Sequence, residues 1–292
     1  MWNHWTARAN TPYQPFNQFA EASPVWNSLR TLFPGALGAV LMPNHFHLIL
    51  PASLRLEAAS KIAGLLSSVS KRQGIAQLWQ PRVEPTVVPD VRHLKRQVRY
   101  VALNPCRSDL CSDPLEWIWS TYRDVAGATV HPWVKAETLA SVLGERQRDF
   151  RVRFHAYVSG DPSVAVEGTA PPEKAKLYLL PHYAIGEILI AAAAASRVPI
   201  KEVSQNRSAA RALFVHLAHR HGWTDSAVLA KVCDTSPRTI RYVLERKPDY
   251  LALEAADLCL GDTRLRVGYV GERLVMERVS AVGKLEAARG WG

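Results

Sequence analysis

The run Ala36-Leu37-Gly38-Ala39-Val40-Leu41-Met42-Pro43-Asn44-His45-Phe46-His47-Leu48-Ile49-Leu50 constrains the fold more than any other stretch. Two apolar segments flank Pro43-Asn44, a turn signal, so the chain is expected to run out along one strand and return along the next. Ala36–Met42 and His45–Leu50 form that pair. Side chains alternate along a strand, so His45 and His47 share a face with Cα atoms roughly 6.5 Å apart. Phe46, between them, points the other way into a core. Two imidazoles at that spacing can converge on one divalent ion. Two histidines simply packed in or on a strand satisfy the same pattern.

A second segment, Arg99-Tyr100-Val101-Ala102-Leu103-Asn104-Pro105, lies about fifty residues downstream. Asp90 is a good N-cap for a helix here, and Pro105 predicts that it ends near Asn104. Tyr100 and Asn104 then stand at i and i+4, roughly 6 Å apart on one face. A phenol, a carboxamide oxygen and two imidazoles make a coherent set for breaking a phosphodiester. The alternative is a tyrosine packed on its own helix and an asparagine closing the helix end.

The remaining pattern supplies a frame for these segments. A strand is expected at His4–Asn10, a helix from Asn17 to Phe33 interrupted near Ser23-Pro24, and a helix over 54–73 stopped by Gly74. Val83–Val88 reads as an edge strand because of Pro85. This β-α-β-β-α-β order predicts an α+β fold, a ferredoxin-like antiparallel sheet backed by helices.

Pro43-Asn44-His45-Phe46-His47 followed by Tyr100-Val101-Ala102-Leu103-Asn104-Pro105 resembles the single-tyrosine HUH transposases, in particular the REP-associated tyrosine transposases. Leu78-Trp79-Gln80-Pro81-Arg82 is similar to that family's Trp-Gln-x-Arg segment, and Trp119-Ser120-Thr121-Tyr122 to its Trp-Ser-Ser-Tyr segment. The resemblance covers about residues 1–160 and implies the same fold, here the HUH nuclease fold. It also implies a metal-dependent enzyme that cleaves and rejoins single-stranded and hairpin DNA through a 5′-phosphotyrosine. Tyr100 would be the nucleophile, and His45, His47 and Asn104 would hold Mg²⁺ or Mn²⁺. Imidazole suits Mn²⁺ better than Mg²⁺. An unassisted phenol is only about 0.1% ionised at pH 7, so the attack needs the ion, helped by Arg96 or Arg99. The sequence departs from the family at Val83-Glu84-Pro85-Thr86, where the family usually carries a basic residue or a histidine. Two other readings remain: a non-catalytic DNA-binding protein or regulator that keeps the fold, and a replication-initiator-like nickase.

Charge supports a nucleic-acid partner. The chain carries a net charge of +10, and residues 54–107 hold ten Lys/Arg against three Asp/Glu. Lys71, Arg72, Arg82, Arg92, Lys95, Arg96 and Arg99 are the expected phosphate contacts, with steeply salt-dependent binding. No apolar run reaches eighteen residues, so no membrane span is expected. The first residues lack a signal-peptide pattern. Cys106, Cys111, Cys233 and Cys259 show no C-x-x-C pairing, so a cytoplasmic protein with reduced thiols is expected, as a monomer or homodimer.

Four parts are expected along the chain: a catalytic domain over 1–158, a linker over 159–181, a helical domain over 182–262 and a tail over 263–292. Short helices are predicted at Glu116–Gly127 and Ala136–Val158, and a hairpin at Leu265–Tyr269 with Arg273–Arg278. In the helical domain, Leu229-Ala230-x-x-Cys233-Asp234-Thr235-Ser236-Pro237-Arg238-Thr239-Ile240 fits an all-α helix-turn-helix. Ser236 would cap its second helix with Pro237 at the first position. Arg238, Thr239, Arg241 and Tyr242 would then face the major groove of double-stranded DNA. The segment resembles the DNA-binding domain of the replication initiator DnaA, including Arg207-x-x-x-Arg211 ahead of an apolar helix. Its charge is nearly balanced, ten basic against nine acidic residues, so binding would depend on the local arginines.

Overall fold

The computed structural model describes residues 1–81, 83–166, 168, 170–171, 181–203 and 208–269. Arg82, Arg207 and the Arg273–Arg278 segment lie outside the described residues. Clustering divides the chain into two compact units, one of Met1–Ala126 with Pro132–Ala170, the other of Gly127–His131 with the described part of Pro171–Gly271.

The first unit is α+β. Strands β1 (Trp2–Arg8), β2 (Gly38–Met42), β3 (His45–Pro51) and β4 (Thr86–Val88) form one sheet in the order β2-β3-β1-β4. Each neighbouring pair is antiparallel, which is the ferredoxin-like arrangement. Helix α1 (Phe19–Leu32) lies between β1 and β2, and α2 (Arg55–Gln73) between β3 and β4. Helix α1 runs uninterrupted through Pro24. Burial of Ala22, Val25, Trp26 and Leu29 outweighs the one hydrogen bond that a helical proline forfeits.

Register sets the two faces of the sheet. Arg8 stands opposite His45, Thr6 opposite His47 and His4 opposite Ile49. Cross-strand partners share a face, so His4, Thr6 and Arg8 lie beside the histidine pair. Trp5, Ala7, Phe46 and Leu48 turn to the other face and are buried in the core.

Helix α3 (Val91–Arg107) covers the histidine face, and Gly38 lets it approach. A Cβ there would stand 3.3 Å from Ile49 Cδ1 and 3.9 Å from Val98 Cγ2 of α3. Asp90 caps the helix by accepting from the His93 N–H at 2.8 Å. The helix continues past Pro105 to Arg107, correcting the expected end at Asn104. Leu103, Asn104, Pro105 and Cys106 are all buried, and the Ser108 N–H closes the last turn on Asn104 O at 3.1 Å. Asn104 is thus an interior helical residue, and its side chain is not spent on capping.

The two intervening family-like segments extend the sheet. Trp119-Ser120-Thr121 runs along β2: Leu41 N–H donates to Trp119 O at 2.9 Å and Thr121 N–H to Ala39 O at 3.0 Å. Trp79 bridges to Ala9, and Gln80 N–H donates to Arg8 O at 2.9 Å, which anchors the end of β1. Trp117, Trp119 and Trp133 are buried in the core.

Further helices are α4 (Tyr122–Ala126), α5 (Ala136–Val142) and α6 (Phe150–Ser159). Helix α4 is shorter than the predicted Glu116–Gly127 because Pro114–Glu116 forms a separate 3₁₀ turn. The predicted Ala136–Val158 helix is two helices, broken at Gly144, which has φ 67°. Beyond α6, Asp161 is buried and tied back to α3.

The second unit is all helix: α7 (Ile185–Ser196), α8 (Ile200–Val203), α9 (Ala209–Arg220), α10 (Ser226–Val232), α11 (Pro237–Leu244) and α12 (Tyr250–Gly261). Ile188 and Ala191–Ala195 of α7 are buried, as their apolar run requires. His221 Nε2 sits 2.7 Å from Asp257 Oδ1 inside the unit. A turn containing Asp234, at φ 45°, joins α10 to α11. Ser236 Oγ accepts from the Thr239 N–H at 3.2 Å, with Pro237 at the first helical position, as a capped second helix requires. Thr263–Tyr269 is a 3₁₀ helix, which replaces the first strand of the expected hairpin. Leu265, Arg266 and Tyr269 are buried there, a pattern set by helical rather than alternating contact.

Among the described residues, no helix is long and apolar enough to cross a membrane. Cys106, Cys111, Cys233 and Cys259 are thiols rather than disulfides.

Candidate active site

The β3 histidines and helix α3 meet at one cleft. It encloses about 410 Å³ and is lined by Arg8, Gln14, Met42, Pro43, Asn44, His45, Tyr100, Asn104, Arg107, Ser108 and Leu110. The His45 and His47 rings stand edge to face with centroids 4.9 Å apart. Tyr100 comes down from α3 onto the same face, its ring centroid 5.6 Å from that of His47. The tyrosine is half-buried, reachable from the cleft rather than sealed in the core.

Three polar atoms here lack any partner. His45 Nε2, His47 Nε2 and Asn104 Oδ1 are buried and make no hydrogen bond among the described residues. Buried polar atoms are nearly always paired, and a bound ion is one physical reason for an exception. Asn104 lies close enough to His45 to favour that ring's charged form.

Hydrogen bonds at the opposite ring nitrogens prepare these donors. His45 Nδ1 lies 2.7 Å from Asn44 Oδ1. An amide oxygen only accepts, so His45 Nδ1 carries the proton and Nε2 presents its lone pair. His47 Nδ1 lies 2.9 Å from Thr6 Oγ1 and 2.9 Å from His4 Nε2. His4 Nδ1 in turn lies 2.5 Å from Gln97 Nε2, which donates to it. A half-turn of the Gln97 amide would bring its oxygen to His4, and each imidazole would then donate through Nδ1 and accept at Nε2. In that arrangement the buried His47 Nε2 would carry a free lone pair. Such outer partners orient metal-binding imidazoles and set their tautomer.

Electrostatics keep the rings neutral. Burial lowers His45 to about 4, with the Arg8 charge acting in the same direction and Asn104 against it. Burial lowers His47 to about 2, reinforced by His4, His45 and Arg8. His4 falls to about 4 through burial. All three are uncharged near pH 7, the form in which imidazole ligates a metal.

The donor set is chemically suited to a divalent cation: two imidazole nitrogens on rings 4.9 Å apart and an amide oxygen, all buried and unpartnered. Among the described residues, no group of three or more His, Cys, Asp or Glu side chains is placed to hold a metal. A site in this cleft therefore depends on the amide of Asn104 as its third protein donor.

The cationic residues divide by environment. Arg107 lies with its guanidinium carbon 5.0 Å from the Tyr100 ring centroid. It also bonds Ser163 Oγ at 3.0 Å and Asp161 Oδ2 at 3.3 Å. Arg99 is spent on Asp161 at 3.0 Å and packs on the Tyr157 ring, so it does not face the phenol. Lys95 pairs with Glu145 and also lies over Tyr157. Arg92 and Arg96 are exposed on α3, and Lys71 and Arg72 on the last turn of α2; none of the four lines the cleft. In the second unit Arg238 and Arg241 are exposed, whereas the Thr239 hydroxyl is engaged with Ser236 Oγ at 3.0 Å.

Sequence reasoning missed His4, Thr6, Arg8, Gln97 and Arg107. The first three were available as the alternating residues of β1, a strand expected from the start. Their relation to His45 and His47 depends on pairing register, which the sequence alone does not fix. Arg107 was hidden by the expectation that the helix stops at Asn104.

No protein-family model matches the chain, and no curated protein matches it. A search of solved structures finds a REP-associated tyrosine transposase bound to a REP hairpin. It is 22% identical, with a TM-score of 0.35, and the match covers 43% of this chain and 79% of that one.

Proposed function

We propose that this protein is a DNA transposase, a single-strand endonuclease and strand transferase that works through a 5′-phosphotyrosine. The observation that carries the reading is that His45 Nε2, His47 Nε2 and Asn104 Oδ1 are buried and unpartnered, with His45, Asn104 and Tyr100 lining one cleft and the His47 ring beside those of His45 and Tyr100. Mg²⁺ or Mn²⁺ held by those atoms would supply Lewis-acid polarisation of a non-bridging phosphate oxygen, worth several kcal/mol at the transition state. The Tyr100 oxygen attacks phosphorus and gives up its proton. The bond from phosphorus to the 3′ oxygen breaks, and that oxygen leaves as a 3′ hydroxyl. The 5′ phosphate stays joined to the tyrosine. Arg107 above the ring favours negative charge on the phenolic oxygen during attack and again when that oxygen departs. A second strand's 3′ hydroxyl reverses the step, so the phosphodiester energy is conserved and ATP is not required.

Hairpin DNA is the proposed substrate, from the likeness of the Pro43–His47 and Tyr100–Pro105 segments to the REP-associated enzymes. Arg92, Arg96, Lys71 and Arg72, all exposed, are proposed backbone contacts. The α10–α11 pair is proposed to hold duplex DNA, supported by the Ser236 cap and the exposed Arg238 and Arg241.

The direct test is an SDS-stable adduct between the protein and labelled single-stranded hairpin DNA in Mn²⁺. Wild type forms it, Tyr100→Phe forms none, and that variant still binds the DNA. Cleavage by Tyr100→Phe at the wild-type rate would remove the tyrosine from its role.

A further inference from the structure

The end of helix α9 carries a dense run of histidines: His216, His219 and, just past the last turn, His221. His221 turns inward, where Asp257 of α12 claims it at 2.7 Å. His216 is half-buried and His219 exposed, and both line a groove against the start of α12. On α12, Tyr250, Leu253, Glu254 and Asp257 recur at the three- and four-residue spacing that puts them on one face. That face meets the end of α9, where Arg220 also pairs with Asp257 at 3.3 Å. The groove encloses about 430 Å³, within the ordinary size of a small-ligand site, and its lining includes His216, His219, Arg220, Tyr250, Leu253 and Glu254.

The lining differs in chemistry from one residue to the next. Leu253 is buried and apolar. Tyr250 is 58% exposed although it opens a well-capped helix. Asp249 accepts from the N–H groups of Leu251 and Ala252 at 3.0 and 3.1 Å, so the ring stands on fixed backbone. Tyr242 is exposed as well, but Arg246 lies 4.6 Å over its ring and donates to its hydroxyl, so one face is already covered. Arg220 is held by Asp257 and still has N–H donors to spare. Lys247 Nζ lies 6.0 Å from the Tyr250 ring centroid. Glu254 is exposed and offers an acceptor-only carboxylate. An open aromatic face, two cations and a carboxylate match the three parts of a nucleotide: base plane, phosphate and exocyclic amino group. A paired base gives its plane to its stacked neighbours, so the ring can take only a base that has left the stack.

We propose that the α9–α12 groove holds one unpaired nucleotide of DNA, with its base stacked on Tyr250, its phosphate on Arg220 and Lys247, and its amino edge on Glu254. Resting on the reading of this unit as a DNA binder, the groove adds to the α10–α11 duplex contact a second one, to a base that the duplex has released. His216 shapes the groove from α9: it hydrogen-bonds the Val243 carbonyl of α11 and so ties the groove to the helix that carries Arg238 and Arg241.

The test measures binding to full-length protein by fluorescence anisotropy, in EDTA so that no strand is cut. Three probes share one duplex sequence: fully paired, with one extra deoxycytidine in one strand, and with an abasic residue in place of that deoxycytidine. The deoxycytidine probe is expected to bind about fivefold tighter or more than the abasic one, in keeping with base stacking on an aromatic ring. Tyr250→Ala brings the two within about twofold and leaves affinity for the paired duplex as it was, whereas Tyr250→Phe retains the difference. Light-induced crosslinking of 5-iododeoxycytidine at the extra position yields an adduct on the peptide that contains Tyr250. Equal affinity for the deoxycytidine and abasic probes, or a difference that Tyr250→Ala leaves intact, overturns the proposal. Arg238→Ala combined with Arg241→Ala checks α10–α11 separately. Paired-duplex affinity indifferent to that change would sink the duplex contact alone, and the Tyr250 difference would still decide the groove.

Discussion

At the scale of single residues, the site is defined by which nitrogen of each ring is committed elsewhere. Asn44 claims the Nδ1 proton of His45, and the Thr6, His4 and Gln97 group claims that of His47 when the Gln97 amide presents its oxygen to His4. This ordering requires an acceptor at the Gln97 end. Gln97→Glu supplies one and should keep Mn²⁺ affinity in the DNA complex. Gln97→Lys offers only donors and should cost about 10- to 100-fold, the usual effect of losing an outer partner. Isothermal titration of both variants decides it, and equal losses would mean that the residue only fills space. The His45-x-His47 pair and Tyr100 with Asn104 were legible in the sequence because strand and helix periods alone put each pair on one face. His4 and Arg8 were not, since their part depends on which residue of β1 pairs with which of β3.

At the scale of elements, α3 carries the phenol, the amide and the arginine over the ring, and its length fixes all three. The proline at 105 suggested a stop, yet burial of Leu103 through Cys106 keeps the last turn, and that turn delivers Arg107. Arg107→Ala should reduce the rate of adduct formation by about tenfold to a hundredfold, in the range of lost electrostatic stabilisation. Single-turnover kinetics with hairpin DNA and Mn²⁺ measures this, and an unchanged rate would leave Arg107 as a structural tie between α3 and Asp161. In the second unit, α11 buries only Ile240 and depends on its cap. Ser236→Ala should cost that helix about 1 kcal/mol, seen as faster amide exchange over Pro237–Leu244 with α7 unaffected. The cap and its proline were legible from Ser236-Pro237. The break between α5 and α6 was missed, although Gly144, which sits in the left-handed region, is an ordinary helix-stop residue.

At the scale of the whole molecule, the α+β frame followed from the order of apolar runs, whereas the sheet order β2-β3-β1-β4 comes from pairing across the chain. The buried histidines tie stability to pH. Their folded values lie below the unfolded value near 6.5. Unfolded chains therefore bind more protons, and the stability is complete above pH 6.5 and lost as pH falls towards about 4. Metal-free protein should show its melting midpoint drop across that window, with His4→Gln lessening the drop; a flat profile would mean that the rings are not sealed from water. The account depends most on two imidazoles and one amide gripping a single ion next to Tyr100. Electron-spin-echo spectroscopy of Mn²⁺ in the DNA complex, with ¹⁵N-labelled histidine, reads that arrangement directly. Two coupled histidine nitrogens are expected, one lost in His45→Ala and the other in His47→Ala. A spectrum without histidine coupling, or one that survives both substitutions, would contradict it.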